Sequence, residues 1–196
     1  MADITKLRAN LEELGYTTSY FETAAEATDY LDSQIDGVSV GIGGTITATE
    51  IGLYPRLASH NKVDSHWENG SVAQAAVADV YITSANGVAE TGEIINIDGT
   101  GNRVSATLYG HKKLYIIIGV NKIAPDYDAA LYRARNIAAP KNAQRLGVAT
   151  PCAAKGDRCY DCKSPQRICN GLVVFWHKMK GIKDVEVVII NQELGY

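Results

Sequence analysis

The sequence predicts an α/β fold with a mainly parallel sheet flanked by helices. Three observations predict it. Val38 to Ile42 is a short apolar strand that runs through Gly41-Ile42-Gly43-Gly44-Thr45 into a helix-compatible stretch reaching Leu53, and strand, glycine turn, helix is the order of an α/β unit. Leu114 to Val120 is a nearly continuous apolar run, the pattern of a strand buried on both faces. Strand-like and helix-like segments also alternate along most of the chain.

The elements follow in order. Ile4, Leu7, Leu11 and Leu14 recur at steps of three and four, which places them on one face of a helix that Gly15 ends. Thr17 to Phe21 is rich in β-formers. Thr23-Ala24-Ala25-Glu26 is a capping box, in which the hydroxyl and the carboxylate satisfy orphan amides, and its helix runs to about Ser33. After the glycine turn, the Ala-rich stretch Val72 to Ala78 suits a helix and Asp79 to Thr83 a strand. Glu93 to Ile97 and Val104 to Tyr109 alternate apolar and polar residues around Asp98-Gly99-Thr100-Gly101-Asn102, which predicts a hairpin. Pro125-Asp126 opens a helix that lasts to about Ala139, where Pro140 stops it. Cys152 to Cys169 is mostly irregular, and Leu172 to Trp176 and Val185 to Ile190 are closing strands.

The 196 residues fit one domain spanning 1–196, with a cysteine-bearing insertion at about 150–170. A formal net charge of -3 and a charged fraction of 21% argue against a polybasic nucleic-acid binder. No apolar run approaches the ~20 residues of a spanning helix. The start, Met1-Ala2-Asp3-Ile4, lacks a basic-then-apolar signal pattern, so the expected location is the cytoplasm and no membrane partner is expected. Eleven tyrosines favour an interface, and a homodimer is the expectation they raise.

Reduced cytoplasmic thiols point away from disulfides. The four cysteines, Cys152, Cys159, Cys162 and Cys169, are spaced C-x6-C-x2-C-x6-C. A central CxxC puts two thiolates on one centre, and the outer pair completes four ligands. Lys155, Arg158, Lys163 and Arg167 interleave as cations that favour thiolates. Zinc and a [4Fe–4S] cluster both take four thiolates, and the spacing matches neither the usual zinc ribbon nor the ferredoxin run. A structural metal knot is favoured over a redox cluster because no second cluster motif is present. Four unrelated core thiols are the alternative.

The glycine turn is the candidate anion site. Gly43 and Gly44 allow close backbone approach, Thr45 and Thr47 add hydroxyls, and a helix N-terminus follows. No Gly-Lys-Ser/Thr and no third glycine make it a Walker loop or a dinucleotide fingerprint, so no nucleotide cofactor is expected. Glu50 is a candidate general base or a plain helix acid. Thr83 to Glu93 follows a strand; in it Asn86, Gly87, Thr91 and Gly92 are candidate ligand contacts and Glu90 a candidate acid/base, each weighed against a solvated turn. His60, His66, His111 and His177 lack metal-ligand spacing and read as surface or capping residues.

Gly43-Gly44-Thr45-Ile46-Thr47, Glu50-Ile51-Gly52-Leu53, Ala78-Asp79, Gly87-Val88-Ala89-Glu90-Thr91-Gly92 and Ile117 to Ile123, in this order, resemble the LUD domain family of lactate-utilisation proteins. Ser164-Pro165-Gln166-Arg167-Ile168-Cys169-Asn170 resembles its stand-alone, cysteine-bearing branch. The resemblance implies a fold like that of ribose-5-phosphate isomerase, glucosamine-6-phosphate deaminase and coenzyme A transferases. It also implies a part in oxidising L-lactate to pyruvate beside iron–sulfur partner proteins. Related transferases carry a catalytic Glu in Ser-Glu-Asn-Gly, whereas this chain has Ser84-Ala85-Asn86-Gly87, so no acyl-enzyme transferase chemistry is expected. The alternatives are a sugar-phosphate isomerase using Glu50 or Glu90, and a non-enzymatic regulatory protein that binds a small anionic or phosphorylated ligand.

Overall fold

A computed structural model of the chain describes residues 2–68 and 70–196; Met1, part of the N-terminal pattern considered above, lies outside the described residues. The elements are α1 (Ile4–Glu13), β1 (Thr17–Phe21), α2 (Ala24–Gln34), β2 (Ser39–Ile42), α3 (Ile46–Glu50), α4 (Leu53–Leu57), β3 (Lys62–Ser65), α5 (Val72–Ala75), β4 (Val80–Thr83), β5 (Gly87–Ala89) and β6 (Ile94–Asp98). They continue with α6 (Asn102–Ala106), β7 (Lys113–Gly119), a 3-10 turn at Val120–Lys122, β8 (Ile123–Ala124), α7 (Tyr127–Arg133), a π-turn at Ala134–Ala138, α8 (Ala139–Arg145), α9 (Pro151–Lys155), β9 (Gly171–Phe175) and β10 (Asp184–Ile190).

Six strands form a wholly parallel sheet in the order β1-β10-β7-β4-β2-β3. Because side chains alternate across a strand, β7 and β10 feed both faces. Leu114, Ile116, Ile118, Val185, Val187 and Ile189 join Leu7 and Leu11 of α1 in one core. Tyr115, Ile117, Val188 and Ile190 join Leu31 of α2 and Leu53 and Leu57 of α4 in another. The predicted α/β architecture with a mainly parallel sheet is the one observed.

A second sheet, β8-β5-β6-β9, packs beside the first. β6 is antiparallel to both β5 and β9, and β5 runs parallel to β8. Ile94 points to the main core, while Ile95 packs with Ala89, Ala130 and Ala134 beneath α7. Among the described residues no helix is long and apolar enough to cross a membrane.

Several local expectations need correction. The hairpin partner of β6 is not Val104 to Tyr109. The Asp98 carboxylate accepts from the amides of Thr100, Gly101 and Val104 at 3.0, 2.8 and 3.2 Å, and Gly101 has φ of 91°, so the chain coils into α6 instead. Pro140 does not stop the long helix. The π-turn at Ala134–Ala138 widens the register ahead of it, and Pro140 then occupies the first turn of α8. The helix after the glycine turn breaks at Gly52, φ 66°, into α3 and α4. Val72 to Ala78 is helical only over Val72–Ala75. The short strands β3, β5 and β8 lie in segments whose polar or glycine-bearing sequence reads as loop.

Candidate functional site

β2, β4 and β7 are neighbours, and their C-terminal ends open onto a cavity of about 390 Å³. Open parallel sheets keep their ligands at this edge. Its walls include Gly44 and Thr45 after β2, Ser84 and Asn86 after β4, Arg103 on α6, and Lys122 after β7.

Lys122 is the chemical centre of the cavity. It is 3% exposed, and its Nζ donates to Thr47 Oγ1 at 2.9 Å and Ser84 Oγ at 2.8 Å. Both partners are neutral hydroxyls, and no carboxylate among the described residues forms a salt bridge with it. Burial, reinforced by the nearby Arg133 and Arg103 charges, brings its pKa down to about 7. A buried ammonium held only by hydroxyls donates strongly to an anionic partner.

Arg103 lines the cavity, and Arg133 braces the turns that carry its residues. Arg103 donates to Asn96 Oδ1 at 2.6 Å, Ile97 O at 2.7 Å and Ser84 O at 3.2 Å, and lies 3.7 Å from the Asp98 carboxylate. Its partners tie β6, α6 and the turn after β4 together. Arg133 of α7 donates to Asn121 O and Asn86 O, each at 2.6 Å, which clamps the turn carrying Lys122 to the turn carrying Asn86. Burial lowers the Arg133 pKa to about 10. Asn86 Oδ1 accepts the Ile97 amide at 2.7 Å.

On the opposite wall the His66 Nδ1 faces two donors, the Gly44 amide at 3.3 Å and Asn102 Nδ2 at 3.2 Å. Accepting at Nδ1 leaves the ring proton on Nε2. Burial lowers the His66 pKa, so the ring is neutral at pH 7. Thr45 Oγ1 is buried without a partner among the described residues, a free polar group in the wall.

The glycines of the turn are required by close approach. A Cβ on Gly43 would sit 2.5 Å from Tyr81 Oη, and one on Gly44 would meet the Trp67 ring at 3.0 Å. The following helix, α3, has five residues, too short for an appreciable macrodipole, so the positive field comes from Lys122 and Arg103.

The candidate residues divide into two groups. Gly44, Thr45 and Asn86 line the cavity, Gly43 adjoins it, and Thr47 bonds to Lys122. Glu90, Thr91 and Gly92 gather elsewhere, along α1. Glu90 Oε1 accepts the Asp3 amide at 2.9 Å, its Oε2 accepts from Lys6 Nζ at 3.2 Å, and Leu14 packs on Gly92. Thr91 is exposed and bonds to Glu93. Gly87 lies in β5 against Ala130 O. Glu50 is exposed and accepts the Gly195 amide at 2.6 Å.

Lys122, Arg103 and His66 escape the sequence reading. Lys122 carries the one usable signal, its place just past a doubly buried strand. His111 is 3% exposed, bonds to Ala78 O at 2.6 Å and stacks on Tyr81 at 4.9 Å, so it is a core residue and not a surface one.

The four cysteines face a second cavity, of about 240 Å³. Among the described residues no three His, Cys, Asp or Glu side chains converge on a single ion-sized point. Thr150 Oγ1 lies 3.3 Å from Cys152 Sγ, the Asp161 amide donates to Cys159 Sγ at 3.3 Å, and Arg167 Nη2 donates to Cys169 Sγ at 3.3 Å. Ile97, Ala139 and Ile168 line both cavities and form the wall between them.

The sequence model of the LUD domain matches residues 4–190. The fold is similar to that of a DUF162 family protein from Deinococcus radiodurans, with a TM-score of 0.55 and 13% identity over 95% of each chain. No curated protein matches the sequence significantly.

Proposed function

Since the chain belongs to the LUD domain family, which is associated with lactate utilisation, we propose that it is a component or accessory of L-lactate oxidation to pyruvate and that its larger cavity binds a small carboxylate of the 2-hydroxy or 2-oxo acid type. The observation that carries this reading is Lys122, a buried ammonium whose bonded partners are two hydroxyls. A carboxylate beside it supplies the missing counter-charge, and Thr45 Oγ1 and Ser84 Oγ offer hydroxyls to the neighbouring oxygen of such an acid. The reading leaves electron transfer to iron–sulfur partner proteins.

A sugar-phosphate isomerase has less support. The carboxylate oxygens of Glu90 accept from the Asp3 amide and Lys6, Glu50 holds the Gly195 amide, and neither acid lines the cavity. Ala85 lines the cavity where a transferase would carry its glutamate.

The test is calorimetric titration with L-lactate, pyruvate and inorganic phosphate. The expected result is binding of the carboxylates that Lys122→Met weakens about 10–100-fold, the worth of one charge-assisted hydrogen bond. Equal affinity in the variant, or heat with phosphate alone, overturns the reading.

A further inference from the structure

The second cavity holds all four cysteines of the chain, yet the larger site does not use them. Three of the four sulfurs are hydrogen-bonded. Asp161 is the one non-glycine residue with positive φ, 47°, among the described residues. That left-handed turn inside Cys159-Tyr160-Asp161-Cys162 aims its amide at Cys159 Sγ. The Arg167 guanidinium donates to the Cys162 and Cys169 carbonyls at 3.0 and 2.9 Å as well as to Cys169 Sγ. Its buried Nε has no acceptor among the described residues. Arg135 lines the same cavity and pairs with Asp161 at 3.3 Å. The Arg167 guanidinium and three hydrogen-bonded sulfurs fit an anionic cofactor held by cysteines.

Size separates the two thiolate cofactors. Four sulfurs around one zinc stand about 2.3 Å from the ion and leave no void between them. Here the sulfurs border a cavity of about 240 Å³ whose lining also includes apolar groups such as Leu131, Pro140 and Leu172. A cubane is larger than a single ion and suits such a space, and the Nε–H of Arg167, without an acceptor among the described residues, would be a donor for an inorganic sulfide. We infer that Cys152, Cys159, Cys162 and Cys169 hold a [4Fe–4S] cluster separated from the ligand cavity by the side-chain wall of Ile97, Ala139 and Ile168.

Binding of the cluster is independent of the carboxylate reading; only the expected response of the cluster to pyruvate, tested below, rests on it. The full chain is purified without oxygen, or reconstituted with ferrous iron and sulfide, and its metal and sulfide are measured. About four iron and four sulfide per chain, with a broad visible absorption and an electron paramagnetic signal on reduction, is the expected result. One zinc without sulfide, or four free thiols and no bound metal after reconstitution, overturns it. Cys159→Ser and Cys162→Ser are expected to lose most of the iron. Arg167→Lys keeps a cation but removes the guanidinium fork, and is expected to retain iron while shifting the cluster's reduction potential; an unchanged potential counts against the placement beside Arg167. Pyruvate is expected to perturb the paramagnetic signal of the wild-type protein and not that of Lys122→Met. Iron content reads the cluster and calorimetry reads the ligand, so failure of one is distinguishable from failure of the other.

Discussion

Lys122 couples charge, solvation and binding in one side chain. Its ordinary pKa of 10.5 falls to about 7 because burial penalises the ammonium and Arg133 and Arg103 add repulsion. The folded state therefore binds this proton less tightly than the unfolded chain. Between about pH 7 and the unfolded value the unfolded chain holds the extra proton, so this group makes stability rise with pH across that window. Anion binding has the opposite sign, because it needs the ammonium. Carboxylate affinity is expected to be full below pH 7 and to decline above it, and titrations at pH 6 and pH 8.5 check this. A bound anion raises the lysine pKa, so proton uptake should accompany binding near pH 7.5, read from the dependence of the heat on buffer ionisation enthalpy. Glu90 makes the contrasting case. Glu90→Gln weakens its bonds to Asp3 and Lys6 and should cost ~1–2 kcal/mol of stability, measured by urea unfolding, with carboxylate affinity unchanged.

At the scale of elements, the carboxylate of Asp98 shapes the α6 segment. It ends β6, accepts three amides of the following turn and faces Arg103, so Asp98→Ala leaves buried donors unpaired on both sides. A loss of about 2–4 kcal/mol is expected, together with weaker carboxylate binding; Asp98→Asn keeps an acceptor and should recover part of both. The same residue explains why this stretch misleads a reader of the sequence. Asp-Gly-Thr-Gly-Asn is a turn signal, and whether strand or helix follows depends on which amides the Asp side chain captures, which alternation does not encode. The capping box at Thr23 and Glu26 is legible because both bonds are local, and both form. Pro140 is misleading for a related reason. A proline excludes an ordinary helix only when the preceding turn keeps its α register, and the π-turn removes that condition. The cavity was half legible. Glycine and threonine motifs announce close backbone approach, but Lys122, Arg103 and His66 meet only through long-range packing. Glu90 reads as a site residue because a polar loop after a strand is where sites lie, and nothing local reveals that α1 covers it.

Across the whole molecule, the parallel order β1-β10-β7-β4-β2-β3 brings distant segments to one edge. Thr47, Ser84 and Lys122 are far apart in the chain yet share three contacts of 2.8 to 3.3 Å. Any ligand there touches turns from three separate strands, and it binds only when the sheet is folded. Linkage then predicts a global effect from a local contact. At a hundredfold excess over its dissociation constant a ligand adds ~2.7 kcal/mol to the unfolding free energy. In a chain of this size 1 kcal/mol moves the melting midpoint by about 2–4 °C, so saturation with pyruvate at pH 6.5 should raise it by roughly 5–10 °C. The increment should shrink at pH 8.5, as the Lys122 ammonium is lost, while an anion bound only through exposed cations would keep its effect across the same range. Scanning calorimetry at the two pH values, with Lys122→Met in parallel, separates these cases. An increment that is independent of pH, or retained in the variant, places the anion somewhere other than the edge where the three strands meet.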